Sequence, residues 1–216
     1  MVHRLNERPS ALDEFVNELR DIHIQKDRMR FRTNVSRIGM IMAYEVSKKL
    51  KFKDREITTP LGTINNPSLS DQPVIASVLR AGLPLQQGFT DVFDRSDSAF
   101  ISAYRKHHSN EDFEIKVEYA SCPDLEGREL ILVDSMLATG RSIVLSYEML
   151  VEQFGKPAHT HFVSVIASNE GIDHLKEQIP SDSDIWLAAV DDELTAQAYI
   201  VPGLGDAGDL CFGEKG

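Results

Sequence analysis

Residues 131 to 142 read Ile-Leu-Val-Asp-Ser-Met-Leu-Ala-Thr-Gly-Arg-Ser: an apolar run closed by Asp134, then small residues leading into a helical pattern. A helix N-terminus presents N–H groups without intrahelical partners and a partial positive charge, so it attracts phosphate. Ala138 and Gly140 let backbone approach an anion closely, and Thr139 and Ser142 add hydroxyl donors. Residues 138 to 142 would therefore hold a monophosphate. Asp134 has a different use, since an ionised carboxylate accepts hydrogen bonds from ribose hydroxyls. The same segment also reads as an ordinary strand, turn and helix with a capping Thr or Ser.

Two arginines follow other apolar runs. Arg80 comes after VIASVL at 74 to 79 and precedes Ala81 and Gly82; Arg105 comes after AFISAY at 99 to 104. A guanidinium beside exposed backbone N–H groups suits a highly charged anion such as pyrophosphate, although either arginine alone would equally pair with a surface acid. The tail runs Tyr199-Ile200-Val201-Pro202-Gly203-Leu204-Gly205-Asp206-Ala207-Gly208-Asp209. A tight Gly-rich loop of this kind can match the carbonyls and N–H along the edge of a planar base with backbone groups.

VDSMLATGRS resembles the phosphoribosyl-pyrophosphate motif of the uracil phosphoribosyltransferases, with Ser135 where Pro is usual and Arg141 where a second Gly is usual. Val78 to Leu83 resembles the pyrophosphate loop of that family, and Tyr104-Arg105 a later pyrophosphate-serving pair. The tail resembles its uracil-recognition signature, with Leu210 where Lys or Arg is common. The segments occur in family order, and the resemblance runs from about Asp27 to the C-terminus.

This resemblance implies a type I phosphoribosyltransferase-like α/β fold with a β-arm and a small C-terminal hood. It implies transfer of a phosphoribosyl group from phosphoribosyl pyrophosphate (PRPP) to uracil, giving UMP. PRPP would meet Arg80, Ala81, Gly82, Arg105, Asp134, Ser135, Met136, Leu137, Ala138, Thr139, Gly140, Arg141, Ser142 and Asp206. Uracil would meet Tyr199, Ile200, Gly205, Asp206 and Ala207, and Asp206, Arg80 and Arg105 would carry catalysis. Mg²⁺ would arrive on the pyrophosphate rather than in a protein cage, because Asp134 is followed by Ser135 and not by a second acid. A homodimer joined through an arm at 107 to 120, and GTP activation as in some relatives, are further implications. Arg141 would put a Cβ and a cation into a turn needing positive φ, either adding phosphate affinity or straining the loop.

The elements that must position these residues follow from periodicity. Leu12, Phe15, Val16, Leu19 and Ile22 predict an amphipathic helix from Ser10 to about Lys26, capped by Ser10 with Asp13. Phe31, Val35, Ile38, Met42 and Val46 predict a second, to about Leu50. Runs at 74–79, 99–104, 129–134, 161–168 and 184–190 predict strands, alternating with helices at about 83–94, 142–154 and 170–178. Such alternation specifies a mostly parallel sheet flanked by helices, with ligands at the carboxyl ends of its strands. The period-two run at 113–120 predicts the β-arm. No linker divides the chain, so residues 1–216 read as one domain with helices of about 10–50 packed on the core.

Composition narrows the alternatives. A formal net charge of −11 repels polyanions, which disfavours a non-catalytic RNA-binding regulator on the same fold. Transfer to a purine is a further alternative, against which the uracil-type tail weighs. Cys122 and Cys211 form no disulfide framework or metal knuckle, and no apolar run has the length of a signal peptide or membrane span. A cytoplasmic protein, with neither nucleic-acid nor membrane partner, is expected. His107 and His108 in a polar loop, and His159 and His161 alternating at a strand start, read as structural.

Overall fold

The computed structural model describes residues 1–107 and 113–214, with side chains for 1–102 and 119–214. In chain order the elements are β1 (Val2–Arg4), α1 (Ala11–Arg20), α2 (Arg28–Ser47), β2 (Phe52–Thr59), β3 (Gly62–Leu69), β4 (Val74–Leu79), α3 (Gly82–Val92), β5 (Asp97–His107) and β6 (Phe113–Ser121). There follow β7 (Glu129–Leu137), α4 (Arg141–Phe154), β8 (His159–Ser168), α5 (Asn169–Gln178), β9 (Asp184–Asp191), β10 (Glu193–Leu194), β11 (Ile200–Val201) and α6 (Ala207–Phe212). A 7-stranded sheet of order β1-β9-β8-β7-β4-β5-β6 forms the centre. All its pairings are parallel except β5 with β6.

The strands of this sheet are apolar on both faces, as burial between two helical layers requires. Ile75, Ile131, Val133 and Val163 pack with Leu12, Leu19, Phe31, Ile38 and Met42 of α1 and α2. Their neighbours Val74, Ala76, Leu130, Leu132 and Phe162 face the other way, against Ile143, Tyr147 and Leu150 of α4 and Ile172 and Leu175 of α5.

Local chemistry fixes the element ends. Ser10 Oγ accepts from Leu12 N at 3.2 Å while Asp13 Oδ2 accepts from Ser10 N at 2.7 Å, the capping box read from the sequence. The helix ends earlier than its periodicity suggested: Asp21 turns extended after Arg20, and Ile22, expected on the buried stripe, is 63% exposed. Asp27 then caps α2 through Arg30 N, so α2 begins ahead of the first apolar residue of its stripe, and Phe31, Val35, Ile38, Met42 and Val46 are all buried. Arg30 and Asn34 of α2 both hydrogen-bond the Glu18 carboxylate of α1 and hold its pKa down to about 2.

Several short or exposed elements, β1, β2, β3, β10, β11 and α6, have no counterpart in the sequence reading. The hairpin β2–β3 is exposed along most of both faces and so carries no apolar period. β1 is only three residues long, and joins β9 with His3 opposite Trp186. The tail, read as a Gly-rich loop, closes in the short helix α6. The run at 113–120 is a strand, β6, antiparallel to β5, whereas residues 108–112 of the expected arm lie outside the described residues. Among the described residues no helix is long and apolar enough to cross a membrane.

The two-layer packing makes a graded prediction for unfolding in urea. Phe162 is 1% exposed and meets the Tyr147 ring edge-on at 5.3 Å, so Phe162→Ala is expected to cost roughly 3–5 kcal/mol. Ile64→Ala, on the exposed hairpin, is expected to change stability by no more than about 0.5 kcal/mol.

Candidate active site

The carboxyl ends of β4 and β7 lie side by side, because the two strands pair in parallel with Ser77 opposite Val133. At the end of β4 come Arg80 and Ala81, and Gly82 opens α3. Gly82 is so close to β7 that a Cβ there would stand 3.1 Å from Val133 O.

β7 runs three residues beyond Asp134, to Leu137, because its pairing with β8 continues through Met136 and Leu137. Asp134, Ser135, Met136 and Leu137 are thus strand residues, and only 138–140 form the turn. Ser135 and Leu137 are buried, while Asp134 is half-buried and its Oδ1 lies 3.5 Å from Met136 N. Gly140 caps α4 with φ 74° and ψ −13°, and a Cβ there would come within 2.8 Å of Gly171 O. The turn is tied to α5 through Ser168, whose Oγ donates to Ala138 O at 2.6 Å and accepts from Gly171 N at 2.9 Å. No side chain caps α4, so its first amides face outward from a rigid turn flanked by the half-buried Thr139 and Ser142.

Arg141 is the first residue of α4 and is exposed. The positive φ of the turn belongs to Gly140, and among the described non-glycine residues only Ala198 has one. The strain expected from Arg141 is therefore absent, and its cation stands at the mouth of the turn.

The tail is built on one carboxylate. Asp191, the last residue of β9, accepts from Arg20 Nη1 and Nη2, both at 2.7 Å, and from Gly203 N at 2.9 Å. Arg20 also donates to Gly203 O at 3.1 Å, and Gln25 to Leu204 O at 3.2 Å. Gly203 has φ 56°, and a Cβ there would collide with Ile200 O. The Val201-Pro202 and Leu79-Arg80 peptides are cis. Ile200, Leu204 and Ala207 belong to the apolar cluster that also takes in Ala81, Met136 and Ala138. Gly205 and Asp206 are exposed, as is much of Tyr199.

Asp206 caps α6 by accepting from Asp209 N at 3.0 Å, and Asp209 Oδ1 accepts from Arg80 Nη2 at 2.8 Å. Arg80 Nη1 donates to Gly213 O at 3.2 Å, and its Nε is buried without a hydrogen-bond partner. The arginine expected to serve an anion is thus held by the tail. Arg105 lies in β5 opposite Ile115, but its side chain and that of Tyr104 are outside the described residues. Cys211, on the buried side of α6, has its thiol pushed up to about 12 by burial and stays protonated. A groove of about 560 Å³ beside the β2–β3 hairpin, lined by Phe52, Arg55, Pro67 and Arg95, includes none of these residues.

Arg20, Asp191, Ser168 and Gln25 were not singled out from sequence. Asp191 carried the one readable signal, an acid closing a buried-type strand as Asp134 closes an apolar run. Gly140→Ala forces a side chain into a left-handed, crowded position and is expected to lose about 1–3 kcal/mol in urea unfolding. Arg141→Gly relieves no strain and is expected to lower stability by about 0.5–1 kcal/mol.

The sequence model of the family described as uracil phosphoribosyltransferase matches residues 9–214. A uracil phosphoribosyltransferase of Porphyromonas gingivalis is 48% identical over 206 residues, 95% of each chain. One from Methanothermobacter thermautotrophicus is 38% identical over 190 residues, 87% of this chain and 86% of that one. Among solved structures, the AQ2163 protein of Aquifex aeolicus superposes with a TM-score of 0.87 at 25% identity, covering 99% of this chain and 98% of that one. A hypoxanthine phosphoribosyltransferase of Staphylococcus aureus, at 10% identity and TM-score 0.51 over 84% of this chain and 82% of that one, shares the fold. A match that spans nearly the whole chain, on a type I phosphoribosyltransferase fold, places this protein in the uracil phosphoribosyltransferase family.

Proposed function

We propose that the protein transfers the phosphoribosyl group of PRPP to N1 of uracil, releasing UMP and pyrophosphate. The observation that carries this reading is the meeting of three segments at one sheet edge: the Arg80-Ala81-Gly82 end of β4, the 134–142 segment, and the 199–209 tail.

Each segment has a task suited to its chemistry. The 5-phosphate sits on residues 138–142, where the open amides of α4, the Thr139 and Ser142 hydroxyls and the Arg141 cation converge. Asp134 accepts from the ribose hydroxyls, with Ser135, Met136 and Leu137 as the strand that carries it. Arg80, the Ala81 and Gly82 backbone and Arg105 take the pyrophosphate. Because Arg80 is paired with Asp209, an anion that competes for its guanidinium also acts on the tail that carries Asp206. Ile200, Gly205 and Ala207 present backbone groups to the edge of uracil, with Tyr199 beside them and Asp206 reaching the ribosyl substrate.

The C1–O bond to pyrophosphate breaks as N1 attacks, with oxocarbenium-like charge on the sugar and loss of the N1 proton. The chain contributes orientation and fixed dipoles, and holds both reactants at one edge. Mg²⁺ bound to pyrophosphate oxygens and water would neutralise the leaving group. We further propose a homodimer in the cytoplasm, with GTP as an effector; the family resemblance supports these, and the unpaired Cys122 and Cys211 suit a reducing compartment. The negative charge weighs against nucleic-acid partners.

Purified protein with PRPP, Mg²⁺ and an equimolar mixture of uracil, cytosine, orotate and hypoxanthine is expected to give UMP alone. Removing Mg²⁺ with a chelator should abolish turnover reversibly, and Asp206→Ala should lower kcat/KM by at least about 100-fold. Product from another base, or full activity in Asp206→Ala, would contradict the assignment.

A further inference from the structure

We propose that the amino-terminal edge of the sheet carries a zinc-type transition-metal site built from His159, His161 and Asp184. It is a second site: β8 starts at His159 and β9 at Asp184, whereas the active site lies beyond the other ends of these strands. β8 is ten residues long, which sets the two edges about 30 Å apart. From sequence these histidines read as structural, with no metal-ligand spacing to a cysteine; the fold adds a carboxylate from the next strand.

One ligand atom from each of the three residues lies within 4.8 Å of the others. In a tetrahedral zinc site with bonds of about 2.0–2.1 Å, neighbouring ligand atoms stand roughly 3.3 Å apart. His159 Nε2 is 3.1 Å from Asp184 Oδ2, and His161 Nδ1 is 3.9 Å from the same oxygen. Forming the shell would take changes of roughly 0.2 and 0.6 Å at these two pairs and of up to about 1.5 Å between the two imidazole nitrogens. The side chain of His159 is 25% exposed, which leaves a way in for the ion and a place for a water as fourth ligand.

The surroundings are also those of a metal centre. Trp186 Nε1–H can only donate, and it lies 3.2 Å from His161 Nδ1, so that nitrogen carries a lone pair and the proton is on Nε2. His161 is 1% exposed, and its Nε2 faces Glu129 Oε2 at 3.7 Å, both atoms buried without a hydrogen-bond partner. A metal drawing on Nδ1 makes Nε2–H a stronger donor and would close that gap, giving the carboxylate–histidine–metal arrangement common around bound zinc. On the far side of Asp184, Oδ1 is 2.7 Å from His3 Nε2, which fixes the carboxylate.

Trp186 is the only tryptophan of the chain, it stacks on His3 at 3.9 Å, and its donor N–H would have to leave His161 Nδ1 on metal binding. Its emission is thus a direct probe. Metal-stripped protein in a Cys122→Ser background is titrated with Zn²⁺ and separately with Co²⁺. One equivalent of Zn²⁺ is expected to shift Trp186 emission and raise the Tm, and Co²⁺ to give the visible d–d bands of a four-coordinate nitrogen and oxygen site. His159→Gln and, separately, Asp184→Asn should each weaken Zn²⁺ binding at least tenfold. Emission and Tm unaltered by Zn²⁺ at millimolar concentration would overturn the proposal. So would a response of equal midpoint in either variant that folds, which would place the ion elsewhere.

Discussion

The Asp191 carboxylate at the carboxyl end of β9 holds the last turn of α1 and the 203–205 turn together. Its oxygens take both terminal nitrogens of Arg20 and the Gly203 amide, and it is only 7% exposed. A bidentate guanidinium pair fixes direction as well as distance. With the carboxylate gone, Arg20 would stay largely buried and unpaired, a loss on the order of 3–5 kcal/mol. Because β10 and β11 are two residues each and α6 has six, the tail depends on such anchors, the others being Arg80 on Asp209, Arg32 on Cys211 O and its buried apolar residues. The position of the tail is therefore a property of the N-terminal helices as much as of the tail sequence.

The parallel topology explains why chemistry gathers at the two edges of the sheet. The middles of β4, β7, β8 and β9 are mainly apolar on both faces, with small buried hydroxyls such as Ser77 and Ser164 among them, so ionisable groups collect where strands start and stop. At the carboxyl edge, Arg80 connects the end of β4 to Asp209 and so to Asp206. At the amino edge, His3, His159, His161 and Asp184 come from three neighbouring strands. One set of strands thus builds two polar clusters that share no residue.

What the sequence could reveal follows the same division. VIASVL at 74–79 reads directly as β4, because a central parallel strand is a continuous apolar run with sharp ends. The β2–β3 hairpin is silent, since neither face is buried and no alternation is imposed. The end of β7 was set too early because Asp134 and Ser135 look like a turn, yet pairing with β8 carries the strand on to Leu137. The positive φ suspected at Arg141 belongs to Gly140, a matter of one residue that only backbone geometry decides. The Asp191–Arg20 pair spans 171 positions, and no local pattern announces it.

On the proposed function, the Asp191 clamp positions the tail that would meet uracil beside the ends of β4 and β7 that would meet PRPP. The direct test is the steady-state kinetics of Asp191→Asn with each substrate varied in turn. KM for uracil is predicted to rise at least about tenfold and KM for PRPP by clearly less, since the tail carries every proposed uracil contact but only Asp206 of the proposed PRPP contacts. Equal increases in both constants, or no change in either, would contradict it.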